Sequence, residues 1–147
     1  MPRLQLAGFP QQKVSKQRKD GGNGTVSVVD RKADRPENPH YLTLNVNTPK
    51  GYYGLSNEGF GGMGIRKGEM YNFSVFARQH AGSKISLLLE LHDSTGAVIG
   101  KTTLSPQGTE WKRYHATIQA NTTTPKAKLY VWATNKGSID LDMISLF

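Results

Sequence analysis

Along most of the chain, apolar and polar residues alternate with a period of two, the pattern of strands that bury one face. Residues 41–46 put Leu42, Leu44 and Val46 on one side and Tyr41, Thr43 and Asn45 on the other. Residues 70–78 oppose Tyr71, Phe73, Val75 and Ala77 to Asn72, Ser74, Phe76 and Arg78. Residues 83–92 oppose Ile85, Leu87, Leu89 and Leu91 to Ser86, Leu88, Glu90 and His92. Asp93-Ser94-Thr95-Gly96 is a tight hairpin signal, and the strand at 97–104 returns from it. Further strands are expected at 25–29, 110–118, 126–133 and 138–146. No segment keeps a helical period for ten residues.

One stretch breaks the pattern. From Gly51 to Ile65 six of fifteen residues are glycine, with Tyr52, Tyr53 and Phe60 among them. Strand-like segments flank it, so it reads as a strand that bulges and bends between two sheets, or as a ligand rim. Counting it, about nine short strands joined by Gly, Pro, Asn and Asp turns predict an all-β fold, an antiparallel β-sandwich of jelly-roll type.

The first 24 residues show no sustained period, and 16–24 (Lys-Gln-Arg-Lys-Asp-Gly-Gly-Asn-Gly) reads as a mobile loop or arm. The chain thus divides into 1–24, a polar basic leader or a divergent first strand, and 25–147, the sandwich. At 147 residues without cysteine, the core must form without disulfides. The net charge of +8 raises the question of nucleic acid. Residues 1–36 hold eight Lys or Arg against three acids, and 37–147 hold eleven against eight, so the excess sits in the leader. The body is only mildly basic, which suits a solvated surface and argues against nucleic acid. No apolar run is long enough to span a bilayer.

The side of the strands turned away from the predicted core carries unusual chemistry. A merely hydrated face would be Thr, Ser, Lys and Glu. Here Asn72, Arg78, Glu90, His115, Tyr130 and Trp132 are mixed together. A sugar ring offers an apolar C–H patch that stacks on an aromatic ring, and hydroxyls that need planar donors and acceptors. Tyr130 and Trp132, at i and i+2, are expected to form the platform, with Tyr52 and Tyr53 at its edges. Arg78, Glu90, Asn72 and His115 are expected to supply hydrogen bonds. The competing reading covers Trp132 and Phe76 with the leader or another domain.

Catalytic signatures are weak. The histidines His40, His80, His92 and His115 lack metal-type spacing, and Glu58 and Glu90 have nothing that pairs them as glycosidase carboxylates. Gly59 to Gly64 spells G-x-G-x-x-G, but a turn and a strand follow where a phosphate-binding helix would be needed.

Several runs resemble one module. They are Asn38-Pro-His-Tyr-Leu-Thr-Leu-Asn45, Gly54-Leu-Ser-Asn-Glu-Gly-Phe-Gly-Gly-Met-Gly-Ile65, the run from Lys67 to Arg78, Glu110-Trp-Lys-Arg-Tyr114 and the run from Ile139 to Phe147. Together they resemble the carbohydrate-binding-like, galactose-binding-domain-like jelly roll of bacterial family 51 α-L-arabinofuranosidases. The resemblance implies an accessory module that is not itself an enzyme, whose partners are arabinose-containing plant cell-wall polysaccharide and the catalytic barrel of a parent enzyme. A purely structural interdomain role is the alternative. It also implies work in the bacterial periplasm or outside the cell, with a signal peptide outside this chain and no membrane partner. No cofactor is required. Modules of this kind often hold a structural calcium, and Asp142 matches its last-strand aspartate, but the N-terminal segment that completes the site is not visible in 1–24. Calcium is therefore left open.

Overall fold

A computed structural model describes residues 4–5, 14–30, 40–57 and 63–147. Twelve strands form among them: β1 (Leu4–Gln5), β2 (Val14–Lys19), β3 (Gly24–Asp30), β4 (His40–Val46), β5 (Tyr52–Asn57), β6 (Met63–Ile65), β7 (Met70–Gln79), β8 (Ser86–His92), β9 (Val98–Leu104), β10 (Lys112–Gln119), β11 (Thr124–Thr134) and β12 (Gly137–Leu146). The described residues contain no helix, so none is long and apolar enough to cross a membrane.

The strands pair antiparallel into two sheets. One runs β10-β7-β12-β4-β3, with β1 extending the line of β4 along the far end of β12. The other runs β2-β5-β11-β8-β9, with β6 extending the line of β5 along β11. The alternation read from the sequence places the two buried faces against each other. Leu42, Leu44, Phe73, Val75, Ile139 and Leu141 of the first sheet meet Leu55, Leu87, Leu89, Leu91, Leu129 and Val131 of the second in one core. The fold is the predicted β-sandwich. Tyr114 and Ala116, expected in the core, are only half-buried against it, because β10 is an edge strand.

Three expectations are corrected. Strict alternation carries the core side of β12 through Leu141 to Met143, whose side chain lies outside the described residues. Register instead shifts between Asp142 and Ser145, where two steps of β7 oppose three of β12. That bulge reverses the phase, so Ile144 and Leu146 enter the core. Second, residues 16–24 are a loop only over 20–23, the turn between β2 and β3. Their first part belongs to β2, which pairs with β5 from Val14↔Asn57 to Lys19↔Tyr52. With one apolar residue in six, β2 carries no burial signal; it is an edge strand held by its backbone ladder, and its charged side chains protect that edge.

Third, the glycine-rich stretch is two strands, β5 and β6, both laid on β11, while 58–62, including Glu58, Phe60 and most of the G-x-G-x-x-G run, lie outside the described residues. The start of the stretch has a definite job. Gly51 has φ +82°, and a Cβ there or on Gly22 would fall on the other segment's backbone. The β2–β3 connection therefore packs backbone to backbone on the entry to β5, which only glycine allows.

Candidate functional site

The two outward faces lie on opposite sides of the sandwich, so the single mixed face expected from the sequence is in fact two. Tyr52, Glu90, Tyr130 and Trp132 share the outer face of the second sheet. Asn72, Arg78 and His115 lie on the outer face of the first, as the β10–β7 and β12–β7 registers require. Tyr53, expected at the edge of the platform, points the other way. It is 2% exposed in the core, where burial pushes its hydroxyl above the ordinary phenol range against a smaller opposing pull from Arg18. The reason is the period itself: adjacent strand residues cannot share a face.

On the second sheet, neighbouring strands bring Glu90 opposite Tyr130 and Leu88 opposite Trp132. The rings of His92, Tyr130 and Trp132 stand in a row. His92 and Tyr130 stack at 3.9 Å and 24°, and Tyr130 and Trp132 at 5.5 Å and 17°. Tyr52 meets Trp132 edge-on at 6.4 Å. Both faces of the Tyr130 ring are thus occupied by neighbouring rings, and Trp132 is only 4% exposed. The open, flat platform expected from i, i+2 spacing is instead a packed stack.

Glu90 organises that stack from beneath. Its side chain is buried, with the residue 3% exposed. The Trp132 indole Nε1 donates to Oε1 at 2.8 Å, and His92 Nε2 lies 3.0 Å from the same oxygen. Oε2 has a longer contact, 3.4 Å, to Lys19 Nζ. That ammonium also sits over the rings of Tyr52 and Trp132, at 5.2 and 5.7 Å from their centroids. The Lys19 side chain is one-third exposed, so it covers Trp132 and Glu90 while its ammonium keeps contact with water. Beside it, Gln17 Nε2 donates to Ser56 Oγ at 3.1 Å.

The first sheet has its own centre. Asp140, 2% exposed, accepts from Thr43 Oγ1 and Arg78 Nε, each at 2.7 Å, and pairs with His80 Nε2 at 2.8 Å. Arg78 in turn lies over Trp111 at 4.6 Å, and Trp111 meets Tyr41 edge-on at 5.3 Å. Arg113 stands over Phe76 at 5.8 Å.

Two of the buried carboxylates, Glu90 and Asp140, are held below the ordinary carboxylate range. Burial alone pushes Glu90 up, but hydrogen bonds from His92 and Trp132 with the Lys19 charge outweigh it and hold the group below its ordinary value. For Asp140 burial likewise pushes up, and Thr43, Arg78 and His80 reverse it. A carboxylate held low when folded contributes stability that is complete above its unfolded value and is lost as pH falls through its folded value. The melting temperature is therefore expected to fall progressively once pH drops below about 4. Glu90→Gln and Asp140→Asn are expected to flatten that fall in thermal melts across pH.

The calcium expectation placed one ligand on β12, at Asp142. Asp142, 1% exposed, lies on the outer side of the first sheet, and among the described residues no group of three or more His, Cys, Asp or Glu side chains gathers to hold a metal ion. Sequence reasoning missed Lys19, which lies in the stretch read as a loop, and left His92 and Trp111 out of the candidate site. His92 had a signal in its i, i+2 relation to Glu90. For Lys19 and Trp111 the sequence holds no local signal, because their partners are 33 to 113 residues away (Lys19 to Tyr52 and Trp132, Trp111 to Arg78).

Residues 21–137 match the family described as carbohydrate binding domain, CBM_4_9. The chain belongs to that family. The domain is 33% identical over 129 residues to an extracellular exo-α-L-arabinofuranosidase of Streptomyces chartreusis, a match that covers 87% of the chain and 14% of the enzyme. The chain therefore corresponds to a small part of that relative. Among solved structures, the arabinose-bound MgGH51 α-L-arabinofuranosidase superposes with TM-score 0.73 at 21% identity, over 90% of the chain and 23% of that protein. The family 11 carbohydrate-binding module of Clostridium thermocellum Lic26A-Cel5E superposes with TM-score 0.59 at 13% identity, over 99% and 94%. At these identities the structural matches speak for a shared fold.

Proposed function

We propose that the domain is a non-catalytic accessory module of an extracellular α-L-arabinofuranosidase, and that it binds arabinose-containing cell-wall polysaccharide, arabinoxylan or arabinan, on the outer face of its second sheet. The observation that carries this reading is the pairing of Trp132 with Glu90 beneath Lys19. A carboxylate has about four acceptor positions, and among the described residues the long Lys19 contact is the one that engages Oε2 of Glu90. When the hydrated Lys19 arm swings aside, an indole face and a carboxylate oxygen become available together. That combination stacks on the C–H side of a sugar and accepts from its hydroxyls. Tyr52 and Tyr130 flank it, and the exposed Lys101 and Lys128 border the same face on β9 and β11.

Affinity gel electrophoresis in arabinoxylan, arabinan and xylan tests this. The domain is expected to be retarded in at least one arabinose-bearing gel. Tyr130→Ala is expected to weaken retention about tenfold, equivalent to roughly 1.4 kcal/mol for one lost aromatic contact. Trp111→Phe, on the opposite face, is expected to leave it unchanged. No retardation in any of the three gels would sink the proposal.

A second reading, an interdomain spacer with no sugar affinity, is favoured by one observation: the rings of His92, Tyr130 and Trp132 spend their faces on one another. It predicts equal mobility with and without polysaccharide.

A further inference from the structure

One end of the sandwich holds a cleft that the sheet-face reading does not use. Three connections meet there: the turn from β7 to β8, the loop from β9 to β10, and the turn from β11 to β12. Gln79, at the end of β7, ties two of them together from inside. Its buried side-chain amide donates to the carbonyls of Ile85 (2.8 Å) and Pro106 (3.1 Å) and accepts from Ile85 N at 3.0 Å. Its backbone N–H reaches Gly108 O at 2.9 Å. The third connection is tied by Asn135 Nδ2, which donates to Lys84 O at 2.9 Å, and by Ser138 N, which donates to Ser83 Oγ at 3.0 Å. Farther along, the Tyr114 hydroxyl clamps the backbone of Gln107, accepting from its N–H at 2.9 Å and donating to its carbonyl at 3.1 Å. Loops fixed at so many points hold their shape before any ligand arrives, which lowers the ordering cost of binding.

The cleft measures about 480 Å³, inside the roughly 300–1,000 Å³ range of small-ligand sites. Among the described residues, its wall carries no aromatic ring and no Asp or Glu. It offers serine hydroxyls at Ser86 and Ser105, amides at Gln107 and Asn135, and a single charge, the exposed Lys84. Without an aromatic surface, recognition must come from hydrogen bonds. Hydroxyl and amide groups both donate and accept, as sugar hydroxyls require. As the charged residue on that wall, Lys84 is where an anionic substituent would find a charge-assisted partner.

We propose that this cleft is a second saccharide site, separate from the sheet face, that takes a uronic acid residue with its carboxylate on Lys84. It does not depend on the sheet-face reading, since it shares no residue with the cluster of Lys19, Tyr52, Glu90, Tyr130 and Trp132.

The test is an amide NMR titration of the full 147-residue chain with D-glucuronate, with D-glucose and acetate as controls. Glucuronate is expected to shift the backbone amides of Lys84, Ser86, Ser105 and Asn135 saturably. Lys84→Met is expected to weaken it about tenfold, the loss of one charge-assisted hydrogen bond. Ser105→Ala, an exposed change that leaves the loop ties intact, is expected to weaken it by a smaller factor. Tyr130→Ala is expected to leave it unchanged. The proposal is overturned if these amides do not move, if glucose binds as well as glucuronate, if acetate gives the same shifts at the same affinity, or if Lys84→Met binds like the parent. Failure here leaves the polysaccharide gels untouched, so the two sites are judged separately.

Discussion

Asp140→Ala is expected to destabilise the domain by about 3 to 4 kcal/mol, a fall of roughly 10 °C in melting temperature. The carboxylate is buried on the first sheet and holds three groups from three strands or turns: Thr43 on β4, Arg78 on β7 and His80 just beyond it. Removing it leaves the buried Thr43 hydroxyl without its acceptor and the Arg78 guanidinium without its anion. The Arg78 side chain is one-third exposed and can rehydrate, which keeps the loss below the roughly 5 kcal/mol upper end for a broken buried pair. Asp140→Asn keeps the shape and one acceptor, and about half the loss is expected. Thermal melts at neutral pH measure both. Equal melting of wild type and Asp140→Ala would show that the cluster is not a structural centre.

Glu90→Ala is expected to cost about 3 kcal/mol, for a related reason on the other side of the sandwich. The Trp132 Nε1–H is buried and donates to Glu90 Oε1 at 2.8 Å. Truncation strands that donor, frees His92 and opens a gap under the ring stack. The mutation also reports locally, because the indole loses a carboxylate 2.8 Å from its nitrogen, so its emission is expected to change in the folded state. Glu90→Gln retains an oxygen for the indole and is expected to lose about half as much. The two clusters lie on opposite outer faces and share no partner. Glu90→Ala and Asp140→Ala are therefore expected to add within about 0.5 kcal/mol in the double variant. Non-additivity beyond that would mean that the core transmits strain between the sheets.

Much of the sandwich was legible because burying one face of a strand forces alternation. Leu42, Leu44 and Val46, or Leu87, Leu89 and Leu91, declare their side without any tertiary information, and all are core. The failures share a cause. β2 has no apolar alternation to read, since its place is fixed by backbone pairing with β5. The β12 bulge inserts one residue and inverts the phase, and nothing local in Ile139-Asp-Leu-Asp-Met-Ile marks it. The outward-facing residues were legible by type but not by side. Periodicity says that Arg78 and Trp132 both point away from the core, but not that their strands belong to different sheets. Only the pairing of β7 with β10 and β12, and of β11 with β5 and β8, separates them. Likewise, i, i+2 spacing put Tyr130 next to Trp132 correctly, but not whether the rings lie flat as a platform or stand stacked.

The chain has two tryptophans, one on each side of the sandwich, and this allows a direct test of where sugar binds. In Trp111→Phe, the remaining indole is Trp132, beside Glu90 and under Lys19. Titrating that variant with arabinoxylan oligosaccharides is expected to change its emission saturably, and Tyr130→Ala in the same background is expected to weaken the response about tenfold. An emission that stays flat while wild-type protein is retarded in the arabinoxylan gel would put the sugar elsewhere and contradict the sheet-face site.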